Sequence, residues 1–136
     1  MSDANREIAR RFVEDVWGKG DYEAEKQIIA ADMKDHNLAP GSPDGLEGHH
    51  LMLMGVRAAF PDMKMTLNQV ITDSDKVVDH WTCKGTHTGE FFGVPATGRS
   101  ISFDGMDVAL IRNGQISELW HVEDIAGLMQ QLTVQG

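Results

Sequence analysis

A single cysteine, Cys83, leaves the chain unable to close an intramolecular disulfide, and a reducing cytoplasm is the expected setting. Basic residues are also scarce. Twelve Lys and Arg stand against 21 Asp and Glu, a formal net charge of −9. Nucleic acids and anionic membranes both call for a basic patch, so neither is expected as a partner. No apolar run approaches the roughly 20 residues a membrane span needs. The opening MSDANREIARR reads as an amphipathic helix start and lacks a signal-peptide core. The six histidines come without a His-Glu-x-x-His pair, a cysteine pair or an EF-hand loop, so no metal site is expected. Gly85–Gly93 is glycine-rich but lacks the Gly-Lys-Ser/Thr ending of a phosphate loop. No repeat or low-complexity segment is present.

The sequence that remains, 136 residues with 41% hydrophobic content, suits one domain spanning 1–136. Its strongest local signal is Asn113-Gly114 between two apolar alternations, ISFDGMDVALI and ISELWHVED. Asn-Gly in that setting specifies a two-residue type I′ hairpin, because both central residues must take positive φ. The two strands carry Asp104, Asp107, Glu118, His121, Glu123 and Asp124 on both parities. Some must therefore face inward, where an ionisable group is costly unless paired and is a candidate for chemistry.

Helical spacing of Ile8, Phe12, Val13, Val16 and Trp17 predicts a helix over 3–18. Asp21 is placed to cap a second helix running to about Ala31. MKDHN offers a short strand before the loop Pro40–Gly45, and a third helix is predicted over 46–60. From Met63 the period falls to two, which predicts strands over 63–72 and 77–87 ahead of the hairpin. Ile125, Leu128, Met129 and Leu132 mark a closing helix, with Asp124 a natural cap. Helices segregated on one side of an antiparallel sheet are the α+β architecture. A curved sheet of this kind would leave one deep, largely apolar pocket.

The elements Phe60-Pro61-Asp62, Gly85-Thr86-His87-Thr88-Gly89, Pro95-Ala96-Thr97-Gly98-Arg99, Asn113-Gly114 and Asp124…Gly127-Leu128…Gln131-Leu132 carry a resemblance. The chain is similar to the SnoaL-like polyketide (ester) cyclases of the nuclear-transport-factor-2-like superfamily, which also holds ketosteroid isomerase. That resemblance implies a cone, a curved antiparallel sheet packed on three N-terminal helices. It also implies a cofactor-independent intramolecular aldol cyclisation of an enolisable poly-carbonyl, a small hydrophobic or polycyclic substrate, and a homodimer or homotetramer. The family's acting aspartate falls on His121 here, and its neighbouring histidine falls on Asp107, so the pair is exchanged.

His121 is thus the first candidate for general acid and base, since imidazole serves both near neutrality. Asp107 is the candidate to fix its tautomer. Regular pairing from the Asn-Gly turn would put Asp107 opposite Trp120 and on the other face from His121. A β-bulge, expected near Gly105, would reconcile them. Trp17, His36, Asn37, His87, Trp120 and Asp124 are the candidate substrate-binding residues. Helix capping is an adequate alternative reading of Asp124, and turn stabilisation of His36 and Asn37. His49, His50 and His80 have no partner suggested by spacing. Cys83, mid-strand, reads as an inert small hydrophobe. Two alternatives remain open: another acid/base enzyme on the same scaffold (isomerase, epoxide hydrolase or hydroxylase), or a non-catalytic small-molecule binder.

Overall fold

The period-two stretches fold into one curved five-stranded sheet, and the helical stretches lie against its inner face. The computed structural model describes residues 2–133. In chain order the elements are α1 (Ser2–Arg10), continued by a π-helical stretch (Arg11–Trp17), α2 (Tyr22–Ile28), β1 (Ile29–Asp35), α3 (Gly45–Ala59), β2 (Lys64–Asp73), β3 (Lys76–Thr86), β4 (Ser100–Arg112), β5 (Gln115–Glu123) and α4 (Ile125–Thr133). The sheet order is β1-β5-β4-β3-β2. Strands β2 to β5 are antiparallel neighbours, and β1 adds at the edge, parallel to β5. The α+β cone is therefore as expected, with a mixed rather than wholly antiparallel sheet.

The second helix ends earlier than its spacing suggests. Asp21 caps it through Ala24 N–H, but Ile29 leaves the helix to pair with Ile116 of β5. The pairing of a β-branched residue across the sheet outweighs one more helical turn. The MKDHN segment contributes the end of β1 and the turn that follows it.

The core is continuous. Phe12, Val13 and Val16 from the first helical run meet Met33, Leu53, Phe60, Trp81, Phe103 and Leu119. The Asn113-Gly114 turn has φ of 53° and 73°, the two positive values a type I′ hairpin requires. Gly105 is needed for a different reason. A Cβ there would sit 2.2 Å from Cζ2 of Trp81, whose indole lies flat across β4 at that point.

The register of the hairpin decides which side chains enter the cone. Leu110 pairs with Glu118, yet Ile111 pairs with Ile116, so Ser117 is the extra residue of a bulge. The bulge lies beside the turn, not at Gly105. Past it, Asp107 is opposite His121 and shares its face.

Candidate active site

Three strands and β1 line up four ionisable groups on the inner face. Asp79 on β3 is opposite Asp107 on β4, and Asp107 is opposite His121 on β5. Asp35, the last residue of β1, reaches His121 from the sheet edge. All four are buried.

His121 is bonded at both ring nitrogens. Nε2 donates to Asp35, at 2.9 Å from Oδ1 and 3.1 Å from Oδ2. Nδ1 donates to Glu123 Oε1 at 2.5 Å. Burial alone would favour the neutral ring, but the two carboxylate partners and their charges override it and raise the pKa to about 10. The ring is an imidazolium at neutral pH. Asp35 shows the reciprocal effect. Burial pushes its carboxyl up, while the bonds from His121 and from Asn37 N–H pull it below its ordinary value. Asn37 also accepts the His121 backbone N–H on Oδ1 at 2.9 Å.

The carboxylate that orients His121 is therefore not Asp107, contrary to the sequence reading. Asp107 accepts from Trp81 Nε1 at 3.0 Å and faces Asp79 across the β3–β4 pairing. Burial, then the Asp79 charge, raises the Asp107 pKa well above the carboxylate range. Burial likewise raises Asp79 to about 6. Two carboxyls forced together in a dry site hold a proton between them. Asp107 is a carboxyl pushed toward its protonated form, and it feels the His121 charge without bonding to it.

A second buried network starts from α2. Glu25 accepts from His49 Nδ1 at 2.6 Å and from His50 Nδ1 at 2.7 Å. Trp17 Nε1, at the end of the π-helical run, donates to His49 Nε2 at 3.2 Å. Burial opposes the Glu25 charge, but the two histidines more than compensate and keep its pKa low. A second proton on His49 would be felt by Asp35, so the two networks adjoin.

The remaining candidates lie elsewhere. Trp120 points to the outer face, where it stacks on His36 at 4.4 Å between centroids and an interplanar angle of 1°. His36 Nε2 donates to Glu118 Oε1 at 2.9 Å. His87 is fully buried beside Phe60. Its Nδ1 accepts from Thr97 N–H, which pins the 87–99 loop. Asp124 is exposed and caps α4, its Oδ1 accepting Gly127 N–H at 2.9 Å. These contacts take Trp120, His36, His87 and Asp124 out of the inner cluster, for the simple reasons of strand parity, loop closure and helix capping. Asp104 likewise sits outside, bonded to Thr82 and His80. Cys83 is buried, and burial pushes its thiol up to about 12, so it is inert at neutral pH. A surface groove of about 560 Å³ opens between the ends of β2, β3 and β4, lined by Asp62, Lys64, Lys84 and Gln131 among others. None of the candidate site residues lines it.

The inner site gained Glu25, Asp35, His49 and Asp79, which the sequence reading left out. Asp35 stands two residues before Asn37 but 86 residues before His121, and nothing local announces that meeting. Among the described residues no three His, Cys, Asp or Glu side chains are grouped to ligate a metal ion, and no helix is long and apolar enough to cross a membrane.

A curved sheet closed by N-terminal helices, with acid and base groups on its inner face, is the nuclear-transport-factor-2-like cone. The sequence profile of the SnoaL-like polyketide cyclases matches residues 7–132, and the chain belongs to that family. Among solved structures, TsrD from Streptomyces laurentii superposes with a TM-score of 0.90 at 24% identity, over 99% of this chain and 98% of that one. IdmH from Streptomyces antibioticus, a proposed polyketide cyclase, gives 0.83 at 30% identity over 96% and 99%. A proposed polyketide cyclase from Acidithiobacillus ferrooxidans gives 0.79 at 31% identity over 97% and 96%. No curated protein matches the sequence significantly.

Proposed function

We propose that the protein is a cyclase-type acid/base enzyme that closes a ring in an enolisable poly-carbonyl substrate, small and hydrophobic or polycyclic, by intramolecular aldol chemistry. One observation carries this reading: a buried imidazolium, His121, held between Asp35 and Glu123, shares a strand face with the neutral carboxyl of Asp107. An aldol step develops negative charge on a carbonyl oxygen, first as enolate and then as alkoxide. Two buried proton donors on one face suit that demand, because donors fixed in a dry site stabilise developing charge more than water does. His121 then acts as the acid that protonates the new alkoxide. The identities of 30 and 31% to two proposed polyketide cyclases support the same class of substrate.

The test is a panel of linear tri- and tetra-ketides with free or ester termini, followed for ring closure by mass spectrometry and NMR. Closure by the wild type and its loss in both His121→Ala and Asp107→Asn is the expected result. Full activity in both variants would falsify the assignment. An isomerase-like shuttle calls for His121 turned outward, and a pure binder for exposed hairpin acids; neither matches the positions described above. A hydroxylase reading draws on AclR from Streptomyces galilaeus, a proposed hydroxylase similar in fold at 22% identity.

The outer face of the sheet supports a proposed homodimer or homotetramer. Ile71, Val78, Val108 and Trp120 form one row across four strands, and Met106 and Val122 extend it. Ile71, Met106 and Val122 are 57%, 45% and 65% exposed. An apolar sheet face of this breadth is the surface on which a second copy of the chain docks.

A further inference from the structure

Glu25, His49 and His50 are a buried network for which ring closure by His121 and Asp107 has no use. Such a network is costly to bury and needs every member satisfied. Its hydrogen bonds fix each proton. Trp17 has only an N–H to give, so His49 Nε2 is a lone-pair acceptor and the ring proton sits on Nδ1, bonded to Glu25. That is a neutral imidazole, backed by a buried carboxylate, with a basic nitrogen directed away from the carboxylate. His121, with both nitrogens donating, has no lone pair to offer.

The surroundings mark His49 as more than a strut. Its acceptor nitrogen is hydrogen-bonded by the indole N–H of Trp17, a residue that is itself partly exposed. Trp17 meets the His49 ring edge-on, with centroids 5.4 Å apart. It closes a seven-residue π-helical run, Arg11–Trp17, a geometry that is rare and tends to occur at functional sites. Glu25 also links His49 to His50, whose side chain is 35% exposed while those of His49 and Glu25 are 0% and 1% exposed. A hydrogen-bonded path therefore runs from the partly exposed His50 through Glu25 to His49 Nδ1, the nitrogen that carries the ring proton. Gly48, next in the chain, is packed so closely that a Cβ would lie 1.8 Å from Pro43 O, which fixes the first turn of α3 and with it the position of His49.

We infer that His49, oriented by Glu25, is the base of the reaction and that His121 is its acid. This deepens the cyclase reading and rests on it. Substrate turns the Trp17 indole aside. His49 Nε2 then takes a proton from a methylene beside a carbonyl, and the C–H electron pair moves into the enolate. The enolate carbon attacks the second carbonyl carbon, forming the C–C bond, and that carbonyl's π pair becomes an alkoxide. The alkoxide takes a proton from His121. As product leaves, His49 Nε2 gives its proton to water and His121 takes one back from water, so the proton count is restored and no redox partner is required.

The experiment separates the base step from ring closure. The probe is α-tetralone in D2O, with exchange of its C2 methylene protons followed by NMR across a pH series. The wild type is expected to speed exchange, with a pH inflection that reports the base. His49→Gln can still accept from Trp17 and donate to Glu25, so it keeps the packing while removing the base. It is expected to lose exchange by about a hundredfold or more and to lose the inflection. His121→Gln is expected to keep the inflection. Exchange at the wild-type rate in His49→Gln overturns this inference alone and leaves the cyclase reading standing. No acceleration by the wild type overturns both. A second measurement needs no variant. With 2-bromo-α-tetralone, a nitrogen–carbon bond forms as bromide leaves, and peptide mass spectrometry locates the adduct. Alkylation at His49 supports the assignment, and alkylation only at His121 or a carboxylate overturns it.

Discussion

Asp107 and His121 stand directly opposite each other across β4 and β5, yet each spends its hydrogen bonds on other residues. His121 is charged because Asp35 and Glu123 hold it, and burial, with Asp79 crowding it, pushes the Asp107 carboxyl toward its protonated form. The two are neighbours through the field, not through a shared proton.

The first consequence is an unusual titration. The folded-state pKa of His121, about 10, lies above its unfolded value of about 6.5. Its contribution to stability is therefore complete below about pH 6.5 and is lost as pH rises through about 10. NMR of the ring should show an imidazolium throughout the neutral range. Denaturant melts of the wild type should lose stability between about pH 7 and 10, and Asp35→Asn should bring the upper end of that window down. A His121 that titrates near 6.5 would refute the arrangement.

The carboxyl pair predicts the opposite response to mutation. Asp79 has a pKa raised to about 6, so stability falls as pH climbs from the unfolded value near 4 to about 6, and the whole cost is present at pH 7. Asp79→Asn should stabilise the protein at pH 7 by on the order of 2 kcal/mol. The slope of stability between about pH 4 and 6 should flatten with it. Calorimetry at a series of pH values measures both.

Gly105→Ala tests the placement of Trp81. The added methyl meets the indole at 2.2 Å, so the ring must shift and its bond to Asp107 must weaken. A loss of about 1–3 kcal/mol is expected from such overpacking. A change in tryptophan emission should accompany it. An unchanged unfolding midpoint and spectrum would mean that Trp81 lies elsewhere.

Charging the outer face tests the assembly. Met106 and Val122 face each other on that surface. Met106→Glu with Val122→Lys should yield a monomer by sedimentation velocity while leaving the fold intact by circular dichroism. A dimer that survives the double substitution places the interface elsewhere.

Much of this was legible in the sequence. The helix and strand periods, the type I′ turn at Asn113-Gly114 and the caps at Asp21 and Asp124 are local signals, and the structure reproduces them. The site was legible only in part. His121 and Asp107 stood out because ionisable residues in an apolar strand are conspicuous. Their partners did not, because Asp35, Glu25 and His49 meet their mates through contacts 24 to 86 residues apart in sequence. Ordinary strand parity also misplaced the pair, since the Ser117 bulge leaves no mark on composition.

That bulge makes β5 behave like a reading frame. One residue between the turn and the site sets the phase of every side chain that follows. A single insertion between Gln115 and Leu119 would therefore not be a local defect. It would turn His121 out toward solvent and bring Trp120 in, trading a charged acid for an indole at the same point of the cone. A second insertion would restore the phase, and so would removing Ser117 alongside the first. The chemistry of this scaffold is thus open to one-residue length changes at the start of β5, in residues that do none of the chemistry themselves.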